Sequence, residues 1–184
     1  MQQIPGINAA IIKQFAPNPG RRPLVPALSE QAQVALMCRM LFREGWNEHI
    51  AGHITYRLAD GNMLTNPWAN MHRSPPVYDQ AGAYVDGPLP VYNEYGGTFE
   101  DEDQSMAAAK ALGDAKWALL ANHGSLVVGK DLRQAHLRVI TLEWRSKRAY
   151  DLEQVGGGVP LTDEQVAAIA LPDANGFPFL WEAM

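Results

Sequence analysis

Apolar residues recur at Val34, Met37, Cys38, Leu41 and Phe42, the spacing of one helix face. Ser29 stands just ahead of this run as an N-cap, and Gly45 follows it as a stop. Residues 52–57 and 62–65 read as two strands, with Asp60-Gly61 between them as a hairpin turn. From Asn66 to Phe99 the chain is rich in Pro, Gly and Tyr and has little periodicity. The pattern then returns. Residues 102–112 predict a helix closed by Gly113. Trp117–Ala121 and Ser125–Gly129 predict two adjacent buried strands. Asp131 caps a helix running to about Gln154, which should bury Ala135, Val139, Leu142 and Ala149, and Gly156 to Gly158 stop it. Thr162 caps a last short helix.

Both ends depart from this regularity. Residues 1–27 hold five prolines and predict an arm laid over the domain or over a neighbouring subunit. The last ten residues carry Phe177, Phe179 and Trp181, too apolar to stay in water, so they should dock on the core or a neighbour. Together these features predict a homo-oligomer. No linker divides residues 28–184, which read as one domain.

Composition narrows the partners. The formal net charge is −5 with no basic cluster, which argues against nucleic acid. No apolar run has the length of a membrane span, and no secretory signal opens the chain, so a cytoplasmic setting is expected. The single cysteine, Cys38, lies within the first apolar stripe and is expected to pack in the core.

The chemistry concentrates in Asn122-His123-Gly124, a tight turn between the two apolar strands. Gly124 is expected to supply the sharp turn, and the imidazole then projects from the strand ends. A lone histidine in a hairpin is more often structural than a ligand, so the turn leaves both roles open.

Asn122-His123-Gly124, the Leu-Val-Val-Gly-Lys-Asp run after Ser125, and Leu142-Glu143 on the long helix together resemble the C-terminal signature of the class II aldolase/adducin family. Ala51-Gly52-His53-Ile54-Thr55-Tyr56-Arg57 and Leu64-Thr65-Asn66-Pro67-Trp68 resemble segments of its first half. The resemblance implies an α/β fold of three layers, α/β/α, with a central, largely antiparallel sheet. It implies a divalent metal, commonly zinc, held by three histidines, a glutamate acid/base, and a tetramer with sites between subunits. It places His123 as a metal ligand, and Gly52 and Asn66 as contacts to the carboxylate or phosphate of a small-molecule substrate. On their own terms, Gly52 also reads as a bulge glycine and Asn66 as a turn residue before Pro67.

The chain departs from the family in one place. Its histidines are His49, His53, His72, His123 and His136, and no two are spaced His-x-His. The glutamate expected ahead of that pair is also missing. Trp68 to Tyr78, including His72, resembles the segment just after the pair. An internal block near residues 67–70 is therefore absent. His136 reads as a residue on the face of the long helix.

Two functions remain from the sequence. One is a metal-dependent lyase performing aldol cleavage or decarboxylation on a small oxygenated carboxylate or sugar phosphate. The Gly-His-Ile-Thr and Thr-Asn-Pro-Trp variants lean away from sugar phosphates, towards a non-phosphorylated or aromatic acid. The other is a non-catalytic assembly domain, as in adducins.

Overall fold

Ser29 begins the first described element as expected. In the computed structural model its hydroxyl accepts from the Ala32 N–H at 3.3 Å, and helix α1 follows over Glu30–Arg43. The structure describes residues 27–43, 62–64, 67–94 and 102–171. The strand expected over 52–57, the Asp60-Gly61 turn, Gly45, the proline-rich arm to residue 26 and the tail from 172 lie outside them.

Helix α1 buries Met37, Met40 and Leu41, with Val34 and Leu36 partly covered against the same core. Cys38 and Phe42 are exposed, which corrects the expectation that Cys38 packs inside. A helix turns about 100° per residue, so Cys38 and Phe42 sit one step past Met37 and Leu41, off the buried stripe.

Among the described residues, four short strands make one sheet in the order β1-β4-β3-β2. They are β1 (Asn62–Leu64), β2 (Val91–Tyr92), β3 (Trp117–Leu120) and β4 (Gly124–Val127). Strands β3 and β4 are antiparallel neighbours, Trp117 opposite Val127 and Leu120 opposite Gly124, as the two apolar runs predict. Strand β1 is antiparallel to β4, whereas β2 runs parallel to β3. The described sheet is thus mixed. The parallel pair needs a crossover, and helix α3 (Glu102–Leu112) provides it, packing on β2 and β3. Gly113, at φ 53, closes α3 with its N–H on the Ala109 carbonyl.

All four residues of β3 are buried. Alternate strand residues face opposite sides, so the centre of the sheet is covered on both faces. Trp117, Leu119 and Val127 join the main core with Met37, Trp68, Val139 and Leu142. That core includes helix α4 (Leu132–Gln154), whose Asp131 cap accepts from Gln134 N–H at 2.8 Å. Ala135, Val139, Leu142 and Ala149 are all buried, as their spacing predicts. Helix α5 (Asp163–Ile169) opens with a capping box between Thr162 and Gln165.

The aperiodic stretch is held by backbone and side-chain bonds to distant parts of the chain, Leu161 N–H on the Val77 carbonyl and Leu171 N–H on the Tyr84 carbonyl among them. Helix α2 (Pro67–Asn70) crosses the join between the two family-like segments as a continuous turn, with the Met71 N–H on the Pro67 carbonyl at 3.1 Å. Beyond it the chain lies along α4. Arg145 Nε donates to the Pro75 carbonyl at 2.7 Å. Asp79 accepts from the Trp144 indole at 2.9 Å and from the Gly82 N–H at 2.8 Å, and Arg148 stands 3.4 Å away. Ser74 Oγ donates to the Leu89 carbonyl, and Val77, Ala83, Val85 and Leu89 are buried. No helix among the described residues is long and apolar enough to cross a membrane.

Candidate functional site at the turn between β3 and β4

The turn that carries the histidine spans Ala121 to His123. The His123 N–H donates to the Leu120 carbonyl at 2.9 Å, and the Ala121 N–H donates to Tyr92 on β2 at 2.8 Å. Asn122 supplies the left-handed conformation, with φ 56. This corrects the expectation that Gly124 makes the sharp turn. Gly124 instead pairs with Leu120 as the first residue of β4. Asparagine tolerates the left-handed region better than most residues, so the sharp turn forms two residues earlier. His123 is half-buried and Asn122 exposed.

Helix α2 braces this turn from beneath. Trp68 and Ala69 are fully buried, and α2 packs on β3 and β4. The Asn122 N–H donates to the Ala69 carbonyl at 3.2 Å. The His72 N–H donates to that same carbonyl, also at 3.2 Å. His72 is itself left-handed, with φ 52, and its side chain is exposed. Arg73 is drawn aside to Glu153 at 2.6 Å, with its guanidinium 4.8 Å from the centre of the Trp68 ring.

The residues picked out by sequence thus fare unequally. His123 stands at the strand ends, where it was expected. Gly52 and Asn66 lie outside the described residues, as do His49 and His53. His72 entered the sequence reading only as a marker of the join, and the structure seats it beside the His123 turn. Its spacing gave no hint of this. His136 is 1% exposed, so the helix face it occupies is a buried one. Burial lowers its imidazole to about 4 from an ordinary 6.5. Burial also raises the Glu143 carboxyl, and Lys147 partly offsets this.

The three-histidine centre implied by the family does not fit the described residues. Among them, no three His, Cys, Asp or Glu side chains come together in a way that could hold a metal ion. His123 is the one described residue at a position where the resemblance places a ligand.

A search of curated proteins finds no match. Among solved structures, the chain is similar to an L-fuculose 1-phosphate aldolase, with TM-score 0.52 and 21% identity over 72% of this chain. It spans 59% of the length of that protein. It is also similar to the L-fuculose 1-phosphate aldolase from Glaciozyma antarctica PI12, with TM-score 0.59 and 15% identity, covering 86% of this chain and 92% of the other. At such identities the likeness is one of fold. The model of the class II aldolase and adducin N-terminal domain family matches residues 32–74 and 68–150, two segments that overlap at α2 and cover more than half of the chain. On that match, and with an aldolase-like arrangement of sheet and helices beneath it, the chain belongs to the class II aldolase/adducin family.

Proposed function

We propose that this chain is a lyase domain acting on a small oxygenated carboxylate or sugar phosphate, by aldol cleavage or decarboxylation, with His123 as its metal contact. One observation carries the reading. His123 stands half-buried at the turn between the two central strands, inside the segment that matches the family. Strand ends of this kind commonly present catalytic groups. Both reactions leave negative charge on an oxygen as the carbon–carbon bond breaks, so the site must place positive charge or hydrogen-bond donors there. Within the same proposal, Gly52 and Asn66 contact the substrate. The metal is divalent, zinc in the first instance.

The proposal includes the wider setting. Residues 1–27 form an arm and 28–184 the domain, joined short of the family's internal block near 67–70. The overlap of the two matched segments supports that join. The complete fold is three-layered, which the burial of β3 on both faces supports, and its sheet is largely antiparallel. The protein is a cytoplasmic homo-oligomer, a tetramer by family habit, and binds neither nucleic acid nor membrane.

A second reading, a non-catalytic assembly domain as in adducins, is favoured by a different observation. The chain has no His-x-His pair, and α2 passes through the join with Trp68 buried in the core.

Turnover decides between them. Tag-free protein supplied with Zn²⁺, Co²⁺ or Mn²⁺ is assayed for carbonyl products from L-fuculose 1-phosphate. The same protein is assayed for CO₂ release from a panel of hydroxy and aromatic carboxylic acids. Metal-dependent turnover that disappears in His123→Ala supports the lyase. No turnover on any substrate, with a stable oligomer in sedimentation, leaves the assembly domain.

A further inference from the structure

We propose that residues 172–184 dock on the outer side of α4 of their own chain, over Leu137, Ile140 and Trp144. The proposal goes beyond the lyase reading and does not depend on the role of His123.

The surface follows from the helix. At about 100° per residue, Leu137, Ile140 and Trp144 fall on one side of α4, opposite the core stripe of Ala135, Val139, Leu142 and Ala149. Leu137 and Ile140 are half-buried. Trp144 is 44% exposed, although the Arg148 guanidinium lies over its ring at 5.1 Å. Exposed Arg133, Lys147 and Arg148 share this side with Asp151, so the apolar strip has a mainly basic border. Such a surface suits an occupant that is apolar and acidic.

Residues 172–184 have both properties and start in the right place. The Leu171 N–H donates to the Tyr84 carbonyl at 3.0 Å, two positions after Gly82. Gly82 and Trp144 share one acceptor. The Asp79 carboxylate takes the Gly82 N–H at 2.8 Å and the Trp144 indole N–H at 2.9 Å. A Cβ at Gly82 would stand only 3.4 Å from that of Arg145. The segment after Leu171 therefore departs alongside Trp144. Asn175-Gly176 is a turn signal that can send it back along the helix, and Phe177-Pro178-Phe179-Leu180-Trp181 follows. Its charged side chains are Asp173 and Glu182, opposite in sign to the border. Its 13 residues reach about 45 Å when extended, whereas Trp144 and Leu137 are about 10 Å apart along the helix. A segment tethered this closely meets its site at a roughly millimolar effective concentration, which favours its own chain over a second copy.

The test places the photoreactive side chain p-benzoylphenylalanine at position 140 or 144 of the full chain and maps the joined residues by mass spectrometry after irradiation. The expected product joins either position to residues 177–181 and keeps the mass of one chain under denaturing conditions. Its yield should fall at least fivefold when Phe177→Ser, Phe179→Ser and Trp181→Ser are combined. A product of two-chain mass overturns the proposal and makes a second copy the occupant. Joining to another segment, or to none, overturns it as well, as does a yield unchanged by the three serines. Carbodiimide on the native chain needs no substitution and decides the matter should these variants fail to fold. Lys147 joined to Asp173 or Glu182 of the same chain upholds the docking, and Lys147 joined to neither overturns it.

Discussion

The indole N–H of Trp68, on α2, donates to the main-chain carbonyl of Ser146, 78 positions away in the middle of α4, at 2.8 Å and out of contact with water. This bond ties the segment at the join to the longest helix. Trp68→Phe keeps most of the apolar volume and removes the donor. A loss of about 1–2 kcal/mol is expected from a buried hydrogen bond of this kind. Trp68→Ala adds a cavity and should cost about 3–5 kcal/mol. Urea denaturation of both variants measures the difference. Equal losses would mean that the hydrogen bond, and not the ring, holds the join.

Gly129 leaves no room for a side chain. An added Cβ would lie 2.6 Å from the Ala135 nitrogen and 3.0 Å from its Cα, both backbone atoms of the first turns of α4. Gly129→Ala must push the helix away, and a loss of about 1–3 kcal/mol follows from such overpacking. A thermal melt within a degree of the native chain would show that α4 moves freely.

Asn122 holds the His123 turn in the left-handed region. Asn122→Gly should be close to neutral, because glycine adopts φ 56 without strain. Asn122→Val should cost about 1–2 kcal/mol, since branching at Cβ opposes that conformation. Comparing the two denaturation midpoints separates backbone strain from loss of the exposed amide, which both variants share.

His136 gives the fold a dependence on pH. Its folded pKa is lowered by burial to about 4, whereas the unfolded value is 6.5. Between these values the unfolded chain binds the proton and the folded chain does not, so stability rises with pH across that window. The contribution is complete above 6.5 and is lost as pH falls towards 4. The whole shift is worth roughly 3 kcal/mol. Glu143 acts in the opposite sense. Its raised pKa makes its ionised form costly in the fold, so its contribution weakens as pH rises above the ordinary carboxylate range. Stability measured from pH 4 to pH 7 in His136→Leu should be flatter than in the native chain, and an identical profile would remove His136 as the cause.

The periodic parts of the chain were determined by sequence alone. Helix α4 was legible because Ala135, Val139, Leu142 and Ala149 repeat at helical spacing and Asp131 caps them, and all four are buried. The pairing of β3 with β4 was legible because two apolar runs flank a three-residue turn. The place of His123, at the turn between two strands, was legible because apolar runs flank Asn122-His123-Gly124. Tertiary contacts decided what had no period. Cys38 looked like core, but whether a stripe residue is buried depends on how the helix is rotated against its neighbours, and here the rotation leaves it in water. The segment after Asn70 gave no periodic signal, because its order comes from bonds across long sequence distances, those of Arg145, Trp144 and Ser74 and of the Leu161 and Leu171 amides among them. The nearness of His72 to His123 was equally hidden. It rests on one buried carbonyl, at Ala69, accepting from two distant backbone amides, and backbone acceptors look the same at every position of a sequence.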